Sequence, residues 1–145
     1  MNHRKWKKYP NKWRYLRNSL RVLFRFPMSK GDVGLRGENA AVRYLKGRGY
    51  KILDRNVRSG RNEIDIVCRD KDTLIFVEVR SRARQDEFTP EDSIGPAKQR
   101  HVRNAVLYYL NQHYDPETYY RIDVIAVTIT SLGQMQIKHI EDAFT

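Results

Sequence analysis

A single cysteine, Cys68, occurs in the 145 residues. One thiol builds neither a disulfide framework nor a Cys-based zinc cluster. Cys68 lies inside an alternating strand pattern, where it reads as a small core residue. Long apolar runs are absent as well. Stretches such as Leu74–Val77, Val124–Val127 and Ala105–Leu110 fall far short of the about 20 residues that span a bilayer as a helix. The four histidines form no ligand cluster. There is no Walker-type phosphate loop, no G-x-S-x-G elbow and no internal repeat. No continuous apolar stretch follows the N-terminal charges, so the chain does not read as secretory and a cytoplasmic location is expected.

Acidic residues are missing from the first 30 positions, which hold ten Lys/Arg. Residues 31–145 hold eighteen Lys/Arg against seventeen Asp/Glu. The formal charge of +11 therefore divides into +10 on the N-terminal segment and +1 on the remainder. A sequence pI near 9.9 describes the tail more than the body. It does not make the body a basic nucleic-acid binder. After Pro10 the tail has helical periodicity, with Trp13, Leu16, Leu20 and Leu23 on one stripe and Arg14, Arg17, Arg21 and Arg25 beside it. Four readings stay open. They are a solvated tail, a basic helix on an anionic membrane surface, a nucleic-acid contact with Arg14, Arg17 and Arg21 on phosphates, and a transit-peptide-like segment. Pro27 to Gly34 reads as a linker. The expected organisation is an extension and linker over 1–32 and a folded domain over 33–145.

Within that domain a helix is predicted over 35–47, with Leu35, Ala41, Tyr44 and Leu45 on its apolar side and Gly47 and Gly49 ending it. Lys51–Val57 reads as a strand, followed by a turn at Ser59-Gly60. Asn62–Arg69 alternates, with Ile64, Ile66 and Cys68 facing one way and Glu63, Asp65 and Val67 the other. Thr73–Arg80 also alternates, placing Leu74, Phe76, Glu78 and Arg80 on one face. A hairpin turning near Lys71-Asp72 sets Arg69 opposite Leu74 and Val67 opposite Phe76. Continued further, it sets Asp65 opposite Glu78 and Glu63 opposite Arg80. Two carboxylates facing each other across a ladder repel. They call for a compensating cation or a raised pKa. A hard divalent metal is one compensator; a neighbouring arginine or solvent is the other.

Residues 81–95 read as an irregular, charged loop. Pro96 suits a first helical position and opens a helix running to about His113. Val102, Ala105, Val106, Tyr109 and Leu110 form its core stripe. Lys98 sits one turn ahead of that stripe. It either snorkels to solvent or reaches a site beside the sheet. Arg100 and Arg103 lie off the stripe and are candidates for phosphate contacts. Arg121–Ile129 is a strongly apolar strand whose one acid, Asp123, reads as a hydrogen-bond acceptor. Gln134–Ile140 is a last, edge-like strand.

The order of helix, three strands, helix and strand, with Asp on the second strand and E-x-basic on the third, resembles the PD-(D/E)XK nuclease core. That implies an α/β fold, restriction-endonuclease-like, with a mixed central sheet and flanking helices. Gly37-Glu38, YLKGRGYKILDRNVR, NEIDIV, DTLIFVEVRSR, PAKQRHVRNAVLYYL and RIDVIAV resemble the bacterial YraN family over about residues 33–130. That family is similar to archaeal Holliday-junction resolvases. The basic tail lies outside the resemblance. The resemblance implies Asp65 and Glu78 as metal-binding carboxylates, the Val79 carbonyl as a further ligand and Glu38 as an acid near the metal. Glu63 matches the acid of the family's usual G-E-I-D string, and Asn62 replaces its glycine.

Arg80 stands where the nuclease pattern has lysine. An arginine stabilises developing charge but is a poor proton acceptor. Some related nucleases supply the lysine from the following helix, which here is Lys98. The resemblance thus implies a Mg²⁺- or Mn²⁺-dependent endonuclease on structured or branched DNA. Glu38, Asp65, Glu78, Arg80 and Lys98 would be its catalytic set. Such enzymes often act as homodimers. The alternatives are a non-catalytic nucleic-acid-binding protein on the same fold and a membrane-surface protein docked through residues 1–30.

Overall fold

The computed structural model describes residues 32–83, 94–115, 117–130 and 133–144. The helix expected after Pro10, with Arg14, Arg17 and Arg21, lies outside them. Helix α1 spans Val33–Gly47 and buries Gly37, Ala40, Ala41, Val42, Tyr44 and Leu45. Its end follows from Gly49. That residue takes φ +87°, a left-handed conformation that glycine adopts without steric cost. The Gly49 N–H then donates to the Lys46 carbonyl and the Tyr50 N–H to the Leu45 carbonyl, both at 3.0 Å. This reversal satisfies the helix's last carbonyls and drops the chain directly into a strand.

Strands β1 (Lys51–Ser59), β2 (Asn62–Asp70) and β3 (Thr73–Ala83) form an antiparallel meander. Helix α2 (Pro96–His113) then leads to β4 (Tyr120–Ile129), which lies parallel to β3. β5 (Met135–Ile140) closes the far edge antiparallel to β4. The sheet order is β1-β2-β3-β4-β5. A parallel pair needs a long crossover, and α2 supplies it. The mixed five-stranded sheet with helices on its faces is the predicted α/β, restriction-endonuclease-like arrangement.

Each face carries its own core. α1 covers Ile66, Cys68, Ile75, Val77, Ile125 and Val127. α2 lays Val102, Ala105, Val106 and Tyr109 over Val67, Leu74, Phe76 and Ile122. The central strands are covered on both sides, which explains why β4 reads as a nearly continuous apolar run. Burying side chains such as Phe76, Leu45 and Ile125 completely contributes about 1.5–3 kcal/mol each. No helix among the described residues is long and apolar enough to cross a membrane. The Cys68 thiol is pushed up to about 12 by burial and then by Asp123, so it stays protonated as the expected core residue.

Leu35, expected on the apolar side of α1, is exposed in the first turn, and Ala41, Tyr44 and Leu45 carry that side. Two further sequence expectations need correction. Ile64 does not share a face with Ile66 and Cys68; it joins the α2-side core. The cause lies in β1. Asn56 takes φ +52°, and the ladder runs from Arg55–Ile66 to Val57–Ile64, stepping over Asn56 and Asp65. The alternation of both strands is broken there. Second, Ser81–Ala83 are not loop. They continue β3, because β4 runs on to Val127, Thr128 and Ile129 and offers them a ladder.

Candidate active site at the parting of β2 and β3

The hairpin register is as expected at its closed end, with Arg69 opposite Leu74 and Val67 opposite Phe76. It ends at Ile66–Val77. Asp65 and Glu78 do not face each other across a ladder, and Glu63 does not meet Arg80. Instead, Asp65 Oδ2 accepts the Val79 N–H at 2.6 Å. The carboxylate takes the place that a strand carbonyl would occupy, so the strands part without orphaning the Val79 donor. Glu63 pairs with Arg58 on β1 at 3.1 Å.

Glu78 is 3% exposed on the α2 side of the sheet. Burial, and after it the neighbouring Asp65, push its carboxyl up to about 7. Asp65 is raised as well, by burial first. The cation that answers Glu78 comes from α2. Lys98 Nζ lies 3.1 Å from Glu78 Oε1, with the lysine side chain 38% exposed. The start of α2 is built to hold it there. Gly95 is extended at the N-cap, Pro96 opens the first turn, and the Gln99 side chain donates to the Ile94 carbonyl at 2.7 Å. Of the two readings of its position, Lys98 takes the second: it reaches the site beside the sheet and ends on the buried Glu78 carboxylate. Glu78 Oε2 is buried and has no hydrogen-bond partner.

The other predicted residues divide. Glu38 belongs to a group the sequence reading missed. Arg55 Nη2 donates to Asn39 Oδ1 at 2.9 Å and lies 3.8 Å from Glu38 Oε2, and the charge of Glu38 contributes to the raised pKa of Asp65. Arg80 exerts a weak lowering influence on Glu78. Val79 contributes its N–H to Asp65. Arg100 is exposed on α2. Arg103 turns back onto its own protein, 5.4 Å over the Phe144 ring and within reach of Gln99. Nothing in a strand's alternation marks Arg55, because its partners sit on another element.

A second missed group surrounds Asp123, which is fully buried. Its carboxylate accepts from Arg121 Nε at 2.9 Å and from the Asp142 N–H at 2.9 Å, and meets His139 Nε2 at 2.8 Å. Arg121 also donates to Tyr50 Oη at 3.2 Å. Asp123 is thus the acceptor the sequence suggested. It ties β5 and the turn after it to β4.

Asp65 and Glu78 present hard oxygen donors, and Glu78 Oε2 is unpaired. These donors suit an oxygen-loving divalent ion that keeps much of its water. Among the described residues, no group of three or more His, Cys, Asp or Glu gathers to hold a metal.

Comparison with known proteins agrees with the sequence resemblance at the level of family. A UPF0102 protein of Chlorobium phaeobacteroides is 39% identical over 118 residues, covering 78% of this chain and 94% of its own. One from Geobacter sulfurreducens is 42% identical over 112 residues, covering 77% of this chain and 88% of its own. One from Anaeromyxobacter dehalogenans is 43% identical over 112 residues, covering 77% and 83%. The model described as "Uncharacterised protein family UPF0102" matches residues 37–127, which include Glu38, Asp65, Glu78, Arg80 and Lys98; the chain belongs to that family.

Proposed function

We propose that this chain is a nucleic-acid-binding protein that retains the nuclease fold. One observation carries the reading: Lys98 lies 3.1 Å from Glu78. Uncompensated acids repel a phosphate backbone. Here a lysine of the same chain answers the buried carboxylate, and phosphate can approach without an added ion. Positive charge for the backbone comes from α2, which has no Asp or Glu, and from the ten Lys/Arg of residues 1–30. The partner is a polyanion held mainly by charge, with DNA the expected polymer. The test is a mobility-shift series with four-way junction, flap, duplex, single-stranded DNA and RNA in EDTA. Binding that weakens as salt rises is expected. A folded protein that shifts none of these substrates overturns the reading.

A second reading, metal-dependent phosphodiester hydrolysis, is favoured by the buried, unpaired Oε2 of Glu78. Asp65 and Glu78, with Glu38 and the Val79 carbonyl, would hold Mg²⁺ or Mn²⁺. Such an ion, when bound, supplies Lewis-acid polarisation of a phosphoryl oxygen. Lys98 and Arg80 would set positive charge against the phosphoryl group, and Arg80 would not act as a base. Incubation of the same substrates with Mg²⁺ or Mn²⁺, beside Glu78→Ala, decides it. Cutting that needs metal and disappears in the variant establishes hydrolysis. Binding with no cutting leaves the first reading alone.

A further inference from the structure

The β1–β2 hairpin turns through two residues, Gly60 and Arg61, closed by the Ser59–Asn62 pair. Gly60 takes φ +60°, as a tight hairpin turn requires. The hairpin includes an edge strand, so its tip needs an anchor to hold a fixed position. Asn62 provides one. Its Oδ1 lies 3.0 Å from His101 Nδ1 on α2. A glycine at position 62 has no side chain to make that bond.

The bond sets two cationic segments side by side. Arg61 is exposed at the tip. Opposite it is the start of α2, with Arg100 exposed, Lys98 two residues before it paired to Glu78, and no acid in the first turn. Glu63, the acid next to Asn62, is matched by Arg58 at 3.1 Å. The pinned pair borders the candidate site on both segments: Asn62 precedes Asp65 by three residues, and His101 follows Lys98 by three.

We propose that the hairpin tip and the first turns of α2 form a clamp for the sugar–phosphate backbone beside the Asp65–Glu78–Lys98 site. Arg61 and Arg100 are its phosphate contacts, and the Asn62–His101 bond is its pin. The proposal rests on the nucleic-acid reading above and gives that reading a location. Phosphate contacts fix register and orientation without reading bases, so the clamp orients a strand and does not select a sequence.

The test measures affinity of the full chain for a labelled DNA duplex in EDTA over a range of KCl. Each lost phosphate contact lowers the slope of log K against log salt by about 0.9. Arg61→Ala and Arg100→Ala are each expected to lower it by that amount. Asn62→Gly keeps every charge and loses the pin; it is expected to weaken binding about fivefold, the effect of one hydrogen bond of roughly 1 kcal/mol. Lys71→Ala removes one positive charge from the turn at the opposite end of β2 and is expected to keep the wild-type slope. Thermal unfolding of each variant checks that it is folded. Wild-type slopes in Arg61→Ala and Arg100→Ala overturn the clamp and leave the nucleic-acid reading standing. A wild-type protein that binds no duplex overturns both. Phosphatidylserine vesicles form the last arm: variants that lose vesicle binding while keeping DNA binding assign the surface to lipid and overturn the proposal.

Discussion

Glu78 is the residue on which function and stability meet. Its carboxyl stands near 7 against an ordinary 4.5, so folding favours its neutral form. A group raised in the folded state contributes stability that is complete below the unfolded value. That stability is lost as pH rises through the folded one. Here the loss runs from about pH 4.5 to about pH 7 and reaches roughly 3 kcal/mol. The side chain is almost fully buried, so solvent screens little of it. Glu78→Gln stays neutral throughout. Its midpoint of thermal unfolding is expected to match the wild type near pH 4.5 and to exceed it at pH 8. Some slope persists in the variant, because Asp65 is shifted in the same direction. Parallel curves for the two proteins would sink this account. Mg²⁺ separates the two functional readings in the same experiment. A metal that binds ionised Glu78 raises the wild-type midpoint at pH 8 through mass action and leaves the variant unmoved.

At the scale of elements, the site depends on how closely α1 approaches β3. Gly37 permits that approach. A Cβ built at Gly37 would lie 1.6 Å from Ser81 Oγ and 2.6 Å from Ser81 Cβ. Rotating the serine cannot relieve both contacts, so a larger residue pushes the helix off the sheet. Gly37→Ala is expected to cost about 1–3 kcal/mol, as overpacking generally does. It also displaces Glu38, the next residue, from Arg55. Ser81→Gly should recover most of the loss, and a double-mutant cycle in denaturant measures that coupling; additive effects would contradict the packing account. The elements themselves were legible. α2 runs over the predicted Pro96–His113, and its core stripe is the predicted one. Such stripes come from local spacing, which a sequence displays directly. The face of Ile64 and the extension of β3 to Ala83 were not legible. The first depends on a left-handed Asn56 in the neighbouring strand, the second on the length of β4.

For the molecule as a whole, net charge is divided unevenly along the chain. The body is close to neutral, while residues 1–30 carry +10. If the tail supplies phosphate contacts, replacing Arg14, Arg17 and Arg21 together by Gln lowers the salt slope of DNA binding by up to about 2.7. The Arg61 and Arg100 increments should remain in that background. A slope that does not change would remove the tail from the nucleic-acid interface. The same triple variant tested on anionic vesicles separates the membrane-surface reading, since each basic residue near such a surface contributes about 1 kcal/mol.

Sequence alone determined the order of elements, the apolar stripe of α2 and that of α1 from Ala41 onward, the buried central strand and the acids of β2 and β3. Each of these is written in a local period or in a single residue type. Tertiary structure decided how those acids are answered. It parted β2 from β3 so that Asp65 caps the Val79 N–H, brought Lys98 from α2 to Glu78, and set Arg55 beside Glu38. It also joined Asn62 to His101 across 39 residues. Spacing along a strand says which residues share a face. Which charges meet across elements depends on how those elements pack, and on the cost of leaving a carboxylate buried without a partner.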